Sequence, residues 1–243
     1  MLSYVKDTEA IQQRLQPSGL QFVDSMEKSG IRCLLAERDD TLVICFRGTE
    51  VDSLQNILTD VHVTFSDWMR GQVHTGFKKA WEQIAEWLDH HLKQRARHKL
   101  LFAGHSLGGA LALLGADTYS SRDPVVYSYG APKTGDATFA SGVTATHYRI
   151  VHNSDVVPMA PPGKLYQHDS NRLYIDAKGE LHTEPPTKTV IKSHLQGHLQ
   201  HAAEVFGAWK SKNLTALPNA NLVDHVPCFY VKALYELNRR EET

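Results

Sequence analysis

Only three cysteines, Cys33, Cys45 and Cys228, occur in the 243 residues of the chain. So small and odd a number builds no disulfide framework, and the first two lie in apolar runs where a thiol behaves as a small buried hydrophobe. No apolar run approaches the roughly 20 residues that a membrane-spanning helix needs. Neither sign of charge is in excess, with 26 Lys and Arg against 27 Asp and Glu. Bulk electrostatics therefore gives no pull toward nucleic acid or an anionic bilayer. The first residues, Met1 to Glu9, have no basic segment leading into an apolar core of about 7–15 residues. A soluble, cytoplasmic protein is expected of the chain as it stands, and a secreted one if a leader has been trimmed. Its partners have to be argued from a site.

At 42% hydrophobic residues the chain can bury a full core, and its length suits one domain over residues 1–243. The most informative stretch is Leu100 to Leu114. Its left half is an apolar run of strand length, and its right half is rich in Ala and Leu. Between them stands Gly104-His105-Ser106-Leu107-Gly108. A strand, a sharp turn and a helix put Ser106 at the tip of the turn, with its Oγ pushed out past the carboxyl edge of a sheet. Gly104 and Gly108 leave out Cβ atoms that would collide as helix and strand approach. The helix beginning here aims free N–H groups and its positive dipole end at the serine, where an anionic intermediate would form. That chemistry is acyl transfer. The plain alternative is a glycine-rich connection with a capping serine.

Upstream, Ile31 to Glu37 and Thr41 to Phe46 read as a hairpin around the acidic turn Arg38-Asp39-Asp40. The second run ends in Arg47-Gly48-Thr49. The backbone N–H of Thr49, with that of Leu107, is placed to form an oxyanion hole, although Thr49 also suits a helix N-cap. Val51, Leu54, Ile57, Leu58 and Val61 recur at helical spacing. They form an amphipathic helix that either covers the site as a lid or packs permanently on the core, and periodicity alone favours packing. An apolar periodicity from about Lys78 to Arg97 predicts one long helix. Downstream, Val125 to Gly130 and Thr146 to Val151 are strand-like. They flank Ala131 to Asp136, a turn with a helix start, and this alternation implies a mostly parallel sheet covered on both faces.

A hydrolase of this architecture carries its acid after the serine and its histidine after the acid. Asp155 lies just past the carboxyl end of a strand, and Asp176, after Leu173-Tyr174-Ile175, is the alternative. The histidines that follow Asp155 are His168, His182, His194, His198, His201 and His225. His225 is the candidate base, because proline discourages helix at Asp224-His225-Val226-Pro227 and a loop there can swing over the sheet edge. His194, His198 and His201 share a helical face. No glutamate stands at Leu195 and no Cys or Asp completes a ligand set, so a polar helix face is expected rather than a metal site. No cofactor is implied.

Six blocks in order resemble the class 3 lipases, the fungal-lipase-like α/β-hydrolases: Phe46 to Thr49, Val73 to Phe77, Gly104 to Ala112, Tyr129 to Asp136, Asp155 to Pro158, and Asp224-His225. The resemblance implies an α/β-hydrolase fold, with Ser106, Asp155 and His225 as the triad and Thr49 and Leu107 as oxyanion donors. It also makes the segment at about 50–61 a lid. The implied activity is that of a serine carboxylic-ester hydrolase, a triacylglycerol lipase or esterase working through an acyl-enzyme in lipid degradation. A phospholipase A1, a feruloyl-type esterase and a non-catalytic lipase-like binding module are the alternatives. The implied partner is a lipid or other ester, met at a lipid–water interface, with no nucleic acid. Lys210 to Leu222 departs from the pattern as an insertion before the histidine.

Overall fold

The structure, a computed structural model, describes residues 7–47, 64–186, 188, 190 and 224–241. Thr49, the segment from Val51 to Val61, the histidines at 194, 198 and 201, and the insertion at 210–222 lie outside the described residues. The helix α1 (Thr8–Leu15) precedes the strands β1 (Gln21–Lys28), β2 (Ile31–Arg38) and β3 (Thr41–Phe46). The hairpin between β2 and β3 closes through Asp39 and Asp40, with Arg38 opposite Thr41. Asp39 takes a φ of 54° there, a left-handed turn conformation that aspartate tolerates.

Next come β4 (Phe65–Asp67) and β5 (Gln72–His74), which form a two-stranded sheet and bridge to Gly135 through Val73, then α2 (Thr75–Glu82) and α3 (Ala85–Gln94). The single helix expected from Lys78 to Arg97 is two. Gln83 and Ile84 donate to the carbonyls of Ala80 and Trp81, three residues back, which tightens the turn and redirects the chain. Trp81, Ile84, Leu88 and Leu92 all bury into one core, so their spacing reads as continuous although the axis breaks.

The main sheet continues with β6 (Lys99–His105), β7 (Val125–Tyr129), β8 (Thr146–His152), β9 (Arg172–Ile175) and β10 (Leu181–Thr183). Its eight strands run in the order β1-β2-β3-β6-β7-β8-β9-β10. The steps from β3 through β6, β7 and β8 to β9 are parallel, and the outer pairs are antiparallel. The crossovers carry α4 (Leu107–Thr118) and α5 (Ala137–Gly142), and α6 (Pro227–Glu241) closes the described chain.

Alternation along the strands divides the core. Cys33 and Leu35 of β2 face the cluster that holds α2, α3 and α4, whereas Leu34 and Ala36 face Ile11 and Leu15 of α1. Tyr230 and Ala233 of α6 pack against Ile150 and Ile175. Every residue of α4 from Leu107 to Asp117 is buried, as its nearly unbroken Ala, Leu and Gly composition requires. Among the described residues no helix is long and apolar enough to cross a membrane.

Candidate active site

Ser106 stands where β6 becomes α4. Its φ of 60° and ψ of −129° lie in a region that residues with a Cβ rarely enter. The chain holds that strain by packing on both sides. A Cβ on Gly104 would lie 2.0 Å from the carbonyl oxygen of Gly108, and one on Gly108 would lie 2.4 Å from that of Phe46. Helix and strand thus approach at glycine backbone distance. The Ser106 N–H donates to the Tyr129 carbonyl at 2.9 Å, which ties the turn to β7. Leu107 opens α4, so its N–H is among the first four that have no acceptor within the helix.

Asp155 follows β8 by three residues, and His225 lies in the short turn before α6. Although 70 residues apart, they meet: His225 Nδ1 donates to Asp155 Oδ2 at 2.8 Å. Asp155 is held by two further donors, the Val157 N–H to Oδ1 at 2.9 Å and the Tyr230 hydroxyl to Oδ2 at 2.6 Å. Burial pushes the Tyr230 phenol well above its usual range, and the Asp155 charge adds to this, so the phenol remains a donor. Tyr230 in turn accepts from the His152 N–H at 3.0 Å. Asp224, beside the histidine, accepts from Asn153 Nδ2 and the Ser154 N–H, fastening the two loops together.

His105 completes the surroundings. Its Nε2 donates to the His225 carbonyl at 2.6 Å, and the two rings lie 4.5 Å apart between centroids. Burial, with the neighbouring His225 as a second cause, pushes His105 down to about 3. It is therefore a neutral support in contact with His225 and adjacent in sequence to Ser106. Ser106 Oγ and His225 Nε2 are both buried, and neither has a hydrogen-bond partner, so no bond joins them. Such contacts commonly tighten only when substrate is bound.

The other candidates are engaged elsewhere. Asp176 caps the β9–β10 turn, accepting from the Lys178 and Glu180 N–H groups and facing His182 Nε2 at 3.1 Å. Asp176, Glu180 and His182 have ligand-type atoms within 4.8 Å of one another, and of the Asp176 oxygens Oδ1 is used by that turn and Oδ2 by His182. His168 donates to the Pro158 carbonyl.

Sequence reasoning did not find Tyr230, Asp224 or the supporting role of His105. His105 was visible as the neighbour of Ser106. Nothing in the sequence marks Tyr230 apart from Phe229. A second constellation was also missed: His147 Nδ1 lies 2.7 Å from Asp169 Oδ2, and its Nε2 lies 2.7 Å from Ser128 Oγ. Ser128 lies inside β7, between β6 and β8, whereas Ser106 stands past the end of its strand.

Comparison with known proteins bears on the family and the fold. The lipase of Rhizopus niveus is 35% identical over 213 residues, covering 81% of this chain and 50% of that protein. A secreted mono- and diacylglycerol lipase of Fusarium solani is 36% identical over 115 residues, 43% of this chain and 34% of that protein. The chain thus spans half or less of the length of these curated relatives. The structure of the Rhizomucor miehei lipase propeptide complex superposes with a TM-score of 0.58 at 28% identity, covering 74% of this chain and 68% of that one. The fold is that of the α/β-hydrolases. Residues 43–165 match the family described as Lipase (class 3), a span that takes in Ser106 and Asp155 and ends before His225. That continuous match runs over half the sequence on both sides of the strained serine, and the chain belongs to the class 3 lipase family.

Proposed function

We propose that the protein is a serine carboxylic-ester hydrolase of the lipase type that cleaves acyl glycerols through an acyl-enzyme. The observation that carries the reading is the Asp155–His225 hydrogen bond. It fixes the imidazole with Nδ1 protonated and leaves Nε2 without a partner, while Ser106, next in the chain to the His105 that bonds the His225 carbonyl, is held in a strained turn with its Oγ likewise without a partner.

Ser106 Oγ attacks the ester carbonyl carbon as His225 Nε2 takes its proton. Asp155 holds the tautomer and stabilises the imidazolium. The carbonyl oxygen becomes an oxyanion that accepts from the Leu107 N–H, with Thr49 as the second donor, each contributing a factor of about 10²–10³. The oxyanion collapses, the C–O bond to the alcohol breaks, and His225 returns its proton to the departing alkoxide. Water then repeats the sequence on the acyl-enzyme, with its proton passing to His225 and back to Ser106 Oγ as the carboxylic acid leaves.

The acyl-glycerol assignment is supported by the names of the Rhizopus and Fusarium relatives. It extends to a substrate met at a lipid–water interface, with the segment at about 50–61 as its lid. A fluorophosphonate should label Ser106, and peptide mapping should find the adduct there. Ser106→Ala should lose several orders of magnitude in kcat while keeping its melting temperature within a few degrees. Turnover of tributyrin and a long-chain triglyceride above that of a phospholipid and a feruloyl ester is expected. The reverse order would replace the acyl-glycerol assignment, and turnover retained by Ser106→Ala would overturn the nucleophile.

A further inference from the structure

Behind the Asp155 loop lies a cavity of about 540 Å³ whose walls come from β8, β9 and the segment after Asp155. Its size is that of a small-molecule site. Arg149, Arg172 and Lys133 line it, together with apolar surface from Val151, Pro158 and Met159. The sheet register places Arg149 directly beside Arg172 on the neighbouring parallel strand. Two like charges in that relation repel.

The repulsion is poorly offset. Arg149 is only 7% exposed, and its Nε donates to the Ser170 carbonyl. Its guanidinium reaches a carboxylate only at 4.0 Å, in Glu184. Burial pulls Arg149 down to about 10 despite Asp169 and Glu184, with Arg172 lowering it further. Arg172 lies with its guanidinium carbon 5.5 Å from the Tyr174 ring centre, and its Nε is buried without a hydrogen-bond partner. Lys133 donates to the carbonyls of Pro161 and Gly163, neutral acceptors that leave its charge unmatched, and burial lowers it as well. The other nearby carboxylates are committed, Asp169 to His147 and Asp155 to His225 and Tyr230. Among the described residues, three cations therefore face one cavity, and its remaining carboxylate, Glu184, already accepts the Arg172 backbone N–H. The buried charge of Arg149 is costly to leave so weakly matched, and a bound anion relieves it.

We propose that this cavity binds an amphiphilic oxyanion, with the head between Arg149 and Arg172 and the chain against Val151, Pro158 and Met159. A fatty acid carboxylate and an alkyl phosphate share this chemistry. A carboxylate source inside the reaction itself, the released fatty acid, rests on the function proposed above, whereas the site does not.

The test uses protein whose Ser106 has been blocked by the fluorophosphonate, so that the proposed acyl site is filled, and measures binding of octanoate, octyl phosphate, octanol and acetate by calorimetry. Octanoate or octyl phosphate should bind with a one-to-one stoichiometry and at least tenfold more tightly than octanol or acetate. The tighter of the two identifies the head. Arg172→Gln should weaken that binding at least tenfold, and Arg172→Lys should recover part of it, with melting temperatures confirming that both variants are folded. Octanol binding as tightly as the tighter of the two anions, or that affinity unchanged in Arg172→Gln, would overturn the proposal, as would the absence of saturable binding by both anions. If the fluorophosphonate fails to label Ser106, the functional reading alone fails, and the dependence on Arg172 still reports on the cavity.

Discussion

Replacing Tyr230 with phenylalanine tests whether the phenol helps to hold the proposed catalytic acid or merely fills space beneath it. The substitution removes one oxygen and leaves the ring packed against Ile150 and Ile175. Two hydrogen bonds go with it, the 2.6 Å donation to Asp155 Oδ2 and the 3.0 Å acceptance from the His152 N–H. They act on different quantities. The first is a bond to a charged group, with a net value of about 1.5–3 kcal/mol. Asp155 keeps the Val157 N–H and His225 Nδ1 as donors, so the carboxylate stays in place and loses rigidity rather than position.

Only part of that energy is specific to the transition state, and a loss of about tenfold in kcat with KM unchanged is expected. The second bond leaves a half-buried backbone N–H without its acceptor, at a cost of about 1–3 kcal/mol in stability. For a chain of this length that corresponds to a fall of roughly 2–12 °C in melting temperature. Steady-state hydrolysis of a soluble ester, fluorophosphonate labelling rates and thermal melts separate the two effects. Labelling should slow by the same factor as kcat. A destabilised variant with unchanged kcat and unchanged labelling would refute the argument that the phenol positions Asp155.

The strain at Ser106 gives a second expectation. Glycine enters this φ, ψ region freely, whereas a residue with a Cβ pays about 1–3 kcal/mol there, so Ser106→Gly should melt a few degrees above Ser106→Ala although both are inactive. Equal melting temperatures would show that the turn is not strained. A third concerns acid. His105 is neutral in the folded protein down to about pH 3, whereas an unfolded histidine takes up a proton near pH 6.5. Its contribution to stability is therefore complete above pH 6.5 and is lost as the pH falls below it, about 2 kcal/mol between pH 7 and pH 5, with His168 adding in the same direction. Urea titrations at the two pH values measure this, and coincident midpoints would contradict it.

How far the site could be read from the sequence depends on whether chemistry or register set each residue. The turn at Ser106 was legible because no side chain fits at Gly104 or Gly108, and that steric demand is written in adjacent residues. Asp155 and His225 were legible through their order along the chain and their places beyond a strand and before a helix. Tyr230 was not, because a phenol at the start of α6 differs from the neighbouring Phe229 only in the partner it meets, and Asp155 lies 75 residues away. The break between α2 and α3 was hidden because the buried residues kept helical spacing across it. The Ser128, His147 and Asp169 set was hidden for a further reason: it exists only because Val126 pairs with His147 across β7 and β8, and spacing does not give strand register.

That second set also separates geometry from function. Ser128 Oγ is closer to its histidine than Ser106 Oγ is to any partner, since the latter has none. By residue type and distance alone, Ser128 is the better match to a charge-relay arrangement. It lies within β7, however, in contact range of the first turn of α4, where a Cβ on Gly109 would come within 3.1 Å of its own. Between β6 and β8 and already bonded to His147, its hydroxyl belongs to the network inside the sheet. Ser106 lies beyond the end of its strand, with the N–H groups of α4 directly following it. The difference between a buried polar network and a proposed nucleophile therefore comes from the place in the strand, and the strained backbone at Ser106 is the cost of occupying that place.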